Sequence, residues 1–438
     1  MHSPFLKSSQ FQNMAWLLIA LLPVFVYFFY VFLFAVNVPQ LDDFHAIFKS
    51  MERIYQSKTL GEATYWAMDF HNEHRLAYTR FVSLVFAQIN GGIIDLKWLI
   101  FVGNLSLVGT YSVLFFVFRA AQIPLHCFLP VSFLLFQMQF FENTFFAMAA
   151  LQNLSVWFFA IGCLYLLIFK NNYFGGLLAA FLATNTSGNG LFLFLIIPFI
   201  LATQKSTWQA WLFWLVGFGL AGLEYHNRFT FSNSSSGTLF DKMYAFLGLL
   251  GSFGGAKAGF FLGFMLLTIV LICTGHLLLK NNLTQTNLRQ KIGQNLTKPR
   301  LFCLGFLGFI MLTALAIAAN REVHLVVSTS RYKIVSAMAL IGVYLLAIQA
   351  VGRQLKPVVF TTALLFAVCF CGFTYHKCTP VIWQHRSELL KDARDFKQTG
   401  KVNNAVYLQI NYRPENDWQN ALKRGIYRFP VLTDSTNT

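Results

Sequence analysis

MAWLLIALLPVFVYFFYVFLFAV, residues 14–36, contains no charged side chain. Its length matches the roughly twenty residues a helix needs to cross a hydrocarbon core about 30 Å thick. Lys7 precedes it, but the run is too long for a signal-peptide core and shows no small-x-small cleavage pattern. It reads as a retained membrane anchor.

Runs of the same kind recur outward from it. The spacing predicts spans near 97–118, 124–140, 146–169, 208–223, 258–279, 301–319, 333–351 and 358–376. The stretch 174–203 is interrupted by TNTSGNG at 184–190 and reads as two half-length helices meeting at a polar turn. That gives about eleven membrane segments, two of them short. Residues 76–91 are also apolar, but they are few and carry Arg80. We read them as an interfacial helix; as a span they would invert everything after them as far as residue 203.

Composition agrees. Only 11% of the 438 residues are charged, 56% are hydrophobic and fifty are Phe. Soluble domains carry about a quarter charged residues, so this chain could not cover a water-facing surface. The net charge of +16 fits Lys and Arg held in cytoplasmic loops and facing lipid phosphates; no nucleic-acid partner is expected. Of seven cysteines, all but Cys378 lie in or beside apolar runs and none forms CxxC. Neither a metal cluster nor a disulfide framework is expected.

Basic residues set the orientation. With the N-terminus cytoplasmic, the inner loops hold Lys7, Arg119, Lys170, Lys205, Arg353 and Lys356, and the loop 280–300 is basic without an acid. All seventeen Asp and Glu then fall outside. Acids contribute little to insertion, so their segregation marks an outer face that does polar work. The expected domains are a membrane unit, 1–376, with a first outer loop 37–96, and a small extracytoplasmic cap, 377–438. The cap reads as a helix (384–398), a strand (AVYLQI, 405–410) and a second helix (415–425). The fold class is an all-α polytopic membrane protein with a small α+β tail, set in a bacterial inner membrane.

The richest polar stretches are PQLDDFHAIFKSMERIYQ (39–56) and MDFHNEHRLAYTR (68–80). Asp42 and Asp43 could together hold a divalent cation such as Mg or Mn, or one could take a proton from an attacking hydroxyl. The competing reading is a helix N-cap. His71, Glu73, His74 and Arg75 form a polar knot; on a helix His71, His74 and Arg75 would share a face. A zinc site, an anion contact or an ordered interfacial loop are all open. In QFFENTFF (139–146), Glu142 is costly among aromatics unless paired or facing a cavity; it is either a second acid of the same site or a helix cap. The N–H groups of Gly188, Asn189 and Gly190 suit an anion or a plain tight turn. NREVHLVVSTSRYK (320–333) carries Arg321, Arg331 and Tyr332, which could fork onto phosphate or simply anchor at the interface.

In order, these features resemble the GT-C superfamily of membrane glycosyltransferases, with the plan of protein O-mannosyltransferases and lipid A aminoarabinose transferases. The features are the acidic pair, the RLAYTRFVSLVFAQING helix (75–91), Glu142, the TNTSGNG turn, the Arg331–Tyr332 pair and a soluble tail. The HNEHR and FFEN segments also resemble a poorly characterised bacterial branch. The resemblance covers 14–376; the tail is smaller than in some members. It implies a polyprenyl-phosphate sugar donor in the bilayer and a glycan, lipid or protein acceptor outside. It implies Asp42 or Asp43 as base or metal ligand, Glu142 as supporting acid, and Arg331 on the donor phosphate, with Tyr332, Arg321 and Arg75 nearby. His71, Glu73, His74 and Asn189 would face the loop or acceptor site. An O-antigen polymerase or ligase, and a lipid-linked sugar flippase or transporter, are the rivals. The chain lacks nucleotide-binding Gly motifs and internal repeats.

Overall fold

The computed structural model describes residues 8–72, 74–226, 237–279, 296–402 and 413–430, with side chains from residue 14. Among the described residues the chain is almost wholly helical; the single sheet pairs β1 (Phe70–His71) with β2 (His74–Arg75). Among the described residues seven helices are long and apolar enough to cross a membrane, which fits an integral membrane protein.

Helix α1 (Ser8–Phe34) exposes Phe25, Phe29 and Phe32 along one face, each more than half exposed; only lipid suits such a stripe. A π-helical segment, Asp43–Lys49, runs into α2 (Ser50–Gln56), followed by α3 (Leu60–Ala67). The hairpin β1–β2 leads to α4 (Ala77–Ile89). At thirteen residues, α4 is about 20 Å long, well short of a bilayer core. Its exposed Phe81, Val85 and Ile89 form one stripe while Arg80 is buried, as in a helix lying in an interface. Arg80 donates to the carbonyls of Trp66, Ala67 and Asp69, satisfying the end of α3.

Next come α5 (Leu96–Ala120), α6 (Leu129–Leu135), α7 (Phe141–Phe145) and α8 (Ala147–Lys170). Within the expected span 124–140 the apolar helix is short. Its apolar helical part stops at Leu135, because the following QMQ turns away: Gln139 donates to the carbonyls of Ser252 and Phe253 at 3.3 and 3.0 Å. Helix α8 contains a π-turn, Ala150–Leu154.

The broken segment appears as α9 (Tyr173–Thr184), a 3-10 turn at Gly188–Leu191, and α10 (Phe192–Thr203). A Cβ on Gly190 would lie 2.3 Å from the backbone of Ala183 and Thr184, so this turn needs glycine. Helix α11 (Trp208–His226) is nineteen residues long but is not one of the seven; three Trp, Gln209 and Glu224 dilute it. Then follow α12 (Leu239–Leu250), α13 (Ala256–Leu279), α14 (Lys298–Asn320), α15 (Val323–Ser328) and α16 (Lys333–Ala350). The span that includes α16 is the most buried of the seven and packs on α6, α12, α13 and α14.

No break in the helix marks the expected boundary at residue 376. One helix, α17, runs unbroken from Lys356 to Thr399, forty-four residues, through Pro380. Thr379 lies beside this proline and its hydroxyl donates to the Tyr375 carbonyl at 2.6 Å. The chain therefore changes from apolar to polar without changing conformation, which composition alone cannot reveal. The expected strand 405–410 lies outside the described residues; α18 (Glu415–Lys423) matches the second tail helix. Trp418 of α18 is buried, stacked 4.6 Å from Phe396 and edge-on to Phe44. The tail therefore shares one hydrophobic core with the first connecting segment.

Candidate functional site at the Asp42–Arg331 cluster

The polar knot at 71–75 is a hairpin, not a helix face. Phe70 pairs with Arg75 and His71 with His74. Asn72 sits at φ +52°, a conformation Asn tolerates better than other non-Gly residues, and this turns the chain back at once. The two histidines then serve different neighbours. His71 Nε2 lies 3.4 Å from Asp42 Oδ1, a charge contact rather than a full hydrogen bond. His74 Nδ1 accepts the Gly188 N–H at 3.2 Å, which leaves its proton on Nε2. Glu73 lies outside the described residues. Arg75 is buried in an ion pair with Glu224 at 2.8 Å and lies over the Phe70 ring. It is therefore committed to holding α11 against the hairpin rather than to a ligand.

The adjacent carboxylates have opposite environments. Neither reading as a helix cap describes Asp42, whose side chain makes no cap bond. It is about one-third exposed. Burial works to raise its pKa, but His71, Arg331 and His45 together hold it below the usual carboxylate range. Asp43 is fully buried: Oδ1 accepts the Met148 N–H at 2.9 Å and Oδ2 the Gln40 N–H at 3.2 Å. Burial outweighs those bonds and pushes its pKa up to about 8. Both Asp43 oxygens accept a backbone N–H and Asp42 stands beside His71, so the two carboxylates are not equivalent. Among the described residues no group of three or more His, Cys, Asp or Glu side chains is placed to hold a metal.

Glu142 and Arg331 meet, but not as an ion pair. Glu142 Oε2 accepts the backbone N–H of Arg331 at 3.0 Å, and the Glu142 N–H donates to Ser330 Oγ at 3.3 Å. Asn143 Nδ2 donates to the Arg331 carbonyl at 2.7 Å, and Asn153 Nδ2 to Asn143 Oδ1 at 2.9 Å. The Arg331 backbone is clamped on both sides. Its Nε is buried without a hydrogen-bond partner, and its charge reaches Asp42.

Arg331 opens onto a cavity of about 310 Å³. Trp157, Phe192, Ile317 and Val335, from three of the long apolar helices and α10, form its apolar wall. His74, Asn189, Arg321 and Tyr332 supply polar groups. The Asn189 amide donates weakly to Thr313 Oγ1 at 3.4 Å, while its Oδ1 is buried without a partner. The expected anion nest does not form here: the Gly188 N–H goes to His74, and the Gly190 N–H to the Ser187 carbonyl at 2.9 Å.

Asp42, Asp43, Glu142, Arg331, His71 and His74 thus gather around one region, and Arg321, Tyr332 and Asn189 line the cavity beside it. Trp157, Asn153 and Asn320 also line it and did not stand out in the sequence. Asn153 could have: an amide inside an apolar run of membrane length is costly without a task. No family model matches this chain, and neither a curated protein nor a solved structure matches it.

Proposed function

We propose that the protein is a membrane glycosyltransferase of GT-C type, moving a sugar from a polyprenyl-phosphate donor to an acceptor hydroxyl on the extracytoplasmic side. One observation carries the reading. An arginine guanidinium without a hydrogen-bond partner at Nε, backed by an apolar cavity wall, stands within electrostatic reach of an ionised carboxylate. An amphiphile with a phosphate head and a long apolar tail matches the two halves of that cavity.

In the proposed reaction, Asp42 accepts the proton of the acceptor hydroxyl. The acceptor oxygen forms a bond to the anomeric carbon as the bond from that carbon to the phosphate oxygen breaks, inverting the centre. Arg331 balances charge on the departing lipid phosphate. His71 positions Asp42. Glu142 and Asn143 fix the Arg331 backbone. The topology proposed with it has eleven membrane segments, a cytoplasmic N-terminus, an inner-membrane location and the tail outside. In this placement α4 lies on the outer surface.

The test is mass spectrometry of surface glycans and lipid A from a deletion strain, complemented with wild type, Asp42→Asn or Arg331→Gln. A sugar missing from one glycan, restored by wild type and by neither variant, is expected. Full restoration by Asp42→Asn would remove Asp42 as the base; an unchanged glycan profile in the deletion strain would sink the reading.

A further inference from the structure

A second cavity lies apart from the Asp42–Arg331 cluster, where the tail meets the end of α1. Its volume is about 640 Å³, and it is lined by Arg386, Arg394 and Arg428 together with Lys97. The carboxylate on its wall, Asp95, is turned to another use: Oδ1 accepts the Lys97 and Trp98 N–H groups at the start of α5, at 2.9 and 3.4 Å. Among the described residues none of the three arginine side chains has a hydrogen-bond or ion-pair partner, and Arg386 Nε is buried without one. Burying part of a guanidinium unpaired is unfavourable unless an anion completes it.

Position identifies the anion. Trp98, at the first turn of α5, and Trp383, three residues before Arg386 on α17, are both about 60% exposed, at 58% and 62%. Exposed Trp on apolar helices marks the boundary between hydrocarbon and headgroups. Phe32, at the lipid-facing end of α1, is 67% exposed and carries the Lys97 ammonium 4.9 Å above its ring. Arg386 and Arg394 follow on α17 with a spacing of eight residues, which puts them on one face. Arg428 comes from the tail, whose carbonyl at Arg428 accepts the Asn37 Nδ2 at 3.2 Å and which is fixed there by two further bonds. Ile94 N–H donates to the Ile426 carbonyl at 2.7 Å, and Tyr427 Oη to the Asn37 carbonyl at 2.7 Å. The cations are thus built into a polar pocket beside the lipid-facing end of α1, with Val36, Ile94 and Leu390 on its apolar side.

We infer that this pocket binds the phosphate headgroup of an anionic membrane phospholipid, clamping the tail onto the membrane domain through Arg386, Arg394 and Arg428. The inference does not depend on the transferase reading. The ligand bridges two elements distant in sequence, α17 and the 426–430 segment, so it stabilises their docking as well as binding to them.

The test uses the full-length protein in nanodiscs of phosphatidylcholine alone or with 30% phosphatidylglycerol, read by thermal unfolding and by native mass spectrometry of retained lipid. Wild type should unfold at higher temperature with phosphatidylglycerol and retain it at least about tenfold over the triple variant Arg386→Gln/Arg394→Gln/Arg428→Gln, given the attraction of each cation for an anionic surface. Arg386→Gln alone, a single partly exposed change, should lose part of the preference in a protein that still folds. Arg331→Gln should retain all of it. Equal retention by wild type and the triple variant would overturn the inference. So would equal stabilisation by inorganic phosphate in phosphatidylcholine discs, because a free anion would then suffice.

Discussion

The carboxylate of Glu142 holds Arg331 by its backbone, at 3.0 Å from the amide nitrogen, and leaves the Arg331 Nε without a partner. An acid that paired with the guanidinium would have neutralised it. Spent on the N–H, the same acid fixes where the cation stands. We expect Glu142→Gln, which keeps an acceptor oxygen, to stay within about threefold of wild-type transfer. Glu142→Ala should raise KM for the lipid donor by roughly 10- to 100-fold, as a misplaced binding group does. Equal effects of the two variants would remove the clamp from the argument.

Asp42 and Asp43 should separate cleanly under mutation. Asp42→Asn should lower the transfer rate by about 10²- to 10⁴-fold, the usual worth of a general base, with membrane insertion unchanged.

Asp43→Asn replaces one of two acceptor oxygens that receive buried N–H groups. It should destabilise the protein by about 1–3 kcal/mol, seen as a lower melting temperature in detergent, while the folded fraction keeps near-normal turnover. A variant as stable as wild type but inactive would reverse the two roles.

The pH dependence follows with opposite signs. Asp43 has a folded pKa raised to about 8, so the folded state holds its proton more tightly than the unfolded chain. Its contribution to stability is complete below the unfolded value and is lost as pH rises through about 8. Asp42 is held below the carboxylate range, so its contribution is present above the unfolded value and is lost as pH falls through the folded one. Thermal unfolding followed from pH 5 to pH 9 should therefore show a decline up to about pH 8, levelling off above it, that Asp43→Asn abolishes. Transfer should stay flat down to about pH 5, because Asp42 remains ionised there.

Gly190→Ala tests the broken helix. The added methyl would meet backbone at 2.3 Å, and backbone cannot move aside as a side-chain tip can. A loss of about 1–3 kcal/mol is expected from such overpacking, together with weaker donor binding, because Asn189 is the next residue and lines the cavity.

Much of this was legible beforehand. Fifty Phe and long uncharged runs leave lipid as the only suitable solvent, and glycines at 188 and 190 announce a turn. The gathering of Asp42, Glu142 and Arg331 also followed from placing their loops on one side. The division of labour did not. Asp42 and Asp43 are adjacent and identical in type; what separates them is that Met148, from α8, sends its N–H to one and not to the other. Arg75 looked as suited to phosphate as Arg331, until Glu224, 149 residues away, claimed it. Such assignments depend on partners distant in sequence, and no local pattern encodes them. The hairpin at 70–75 was missed for a local reason: HNEHR has helix-compatible residues, and a single left-handed Asn72 decides otherwise.

The unbroken run of α17 has a mechanical meaning. At about 1.5 Å of rise per residue, its forty-four residues make a rod of roughly 66 Å, twice the depth of a bilayer core. Whatever sits on its upper half is held at a fixed height and a fixed phase angle relative to the membrane, as on a mast. His385, halfway along the polar half, meets Gln40 at 2.9 Å. Adding one residue below it would turn the upper half by about 100° and carry His385 around the axis, away from Gln40. A linker would have absorbed the insertion; this rod transmits it whole.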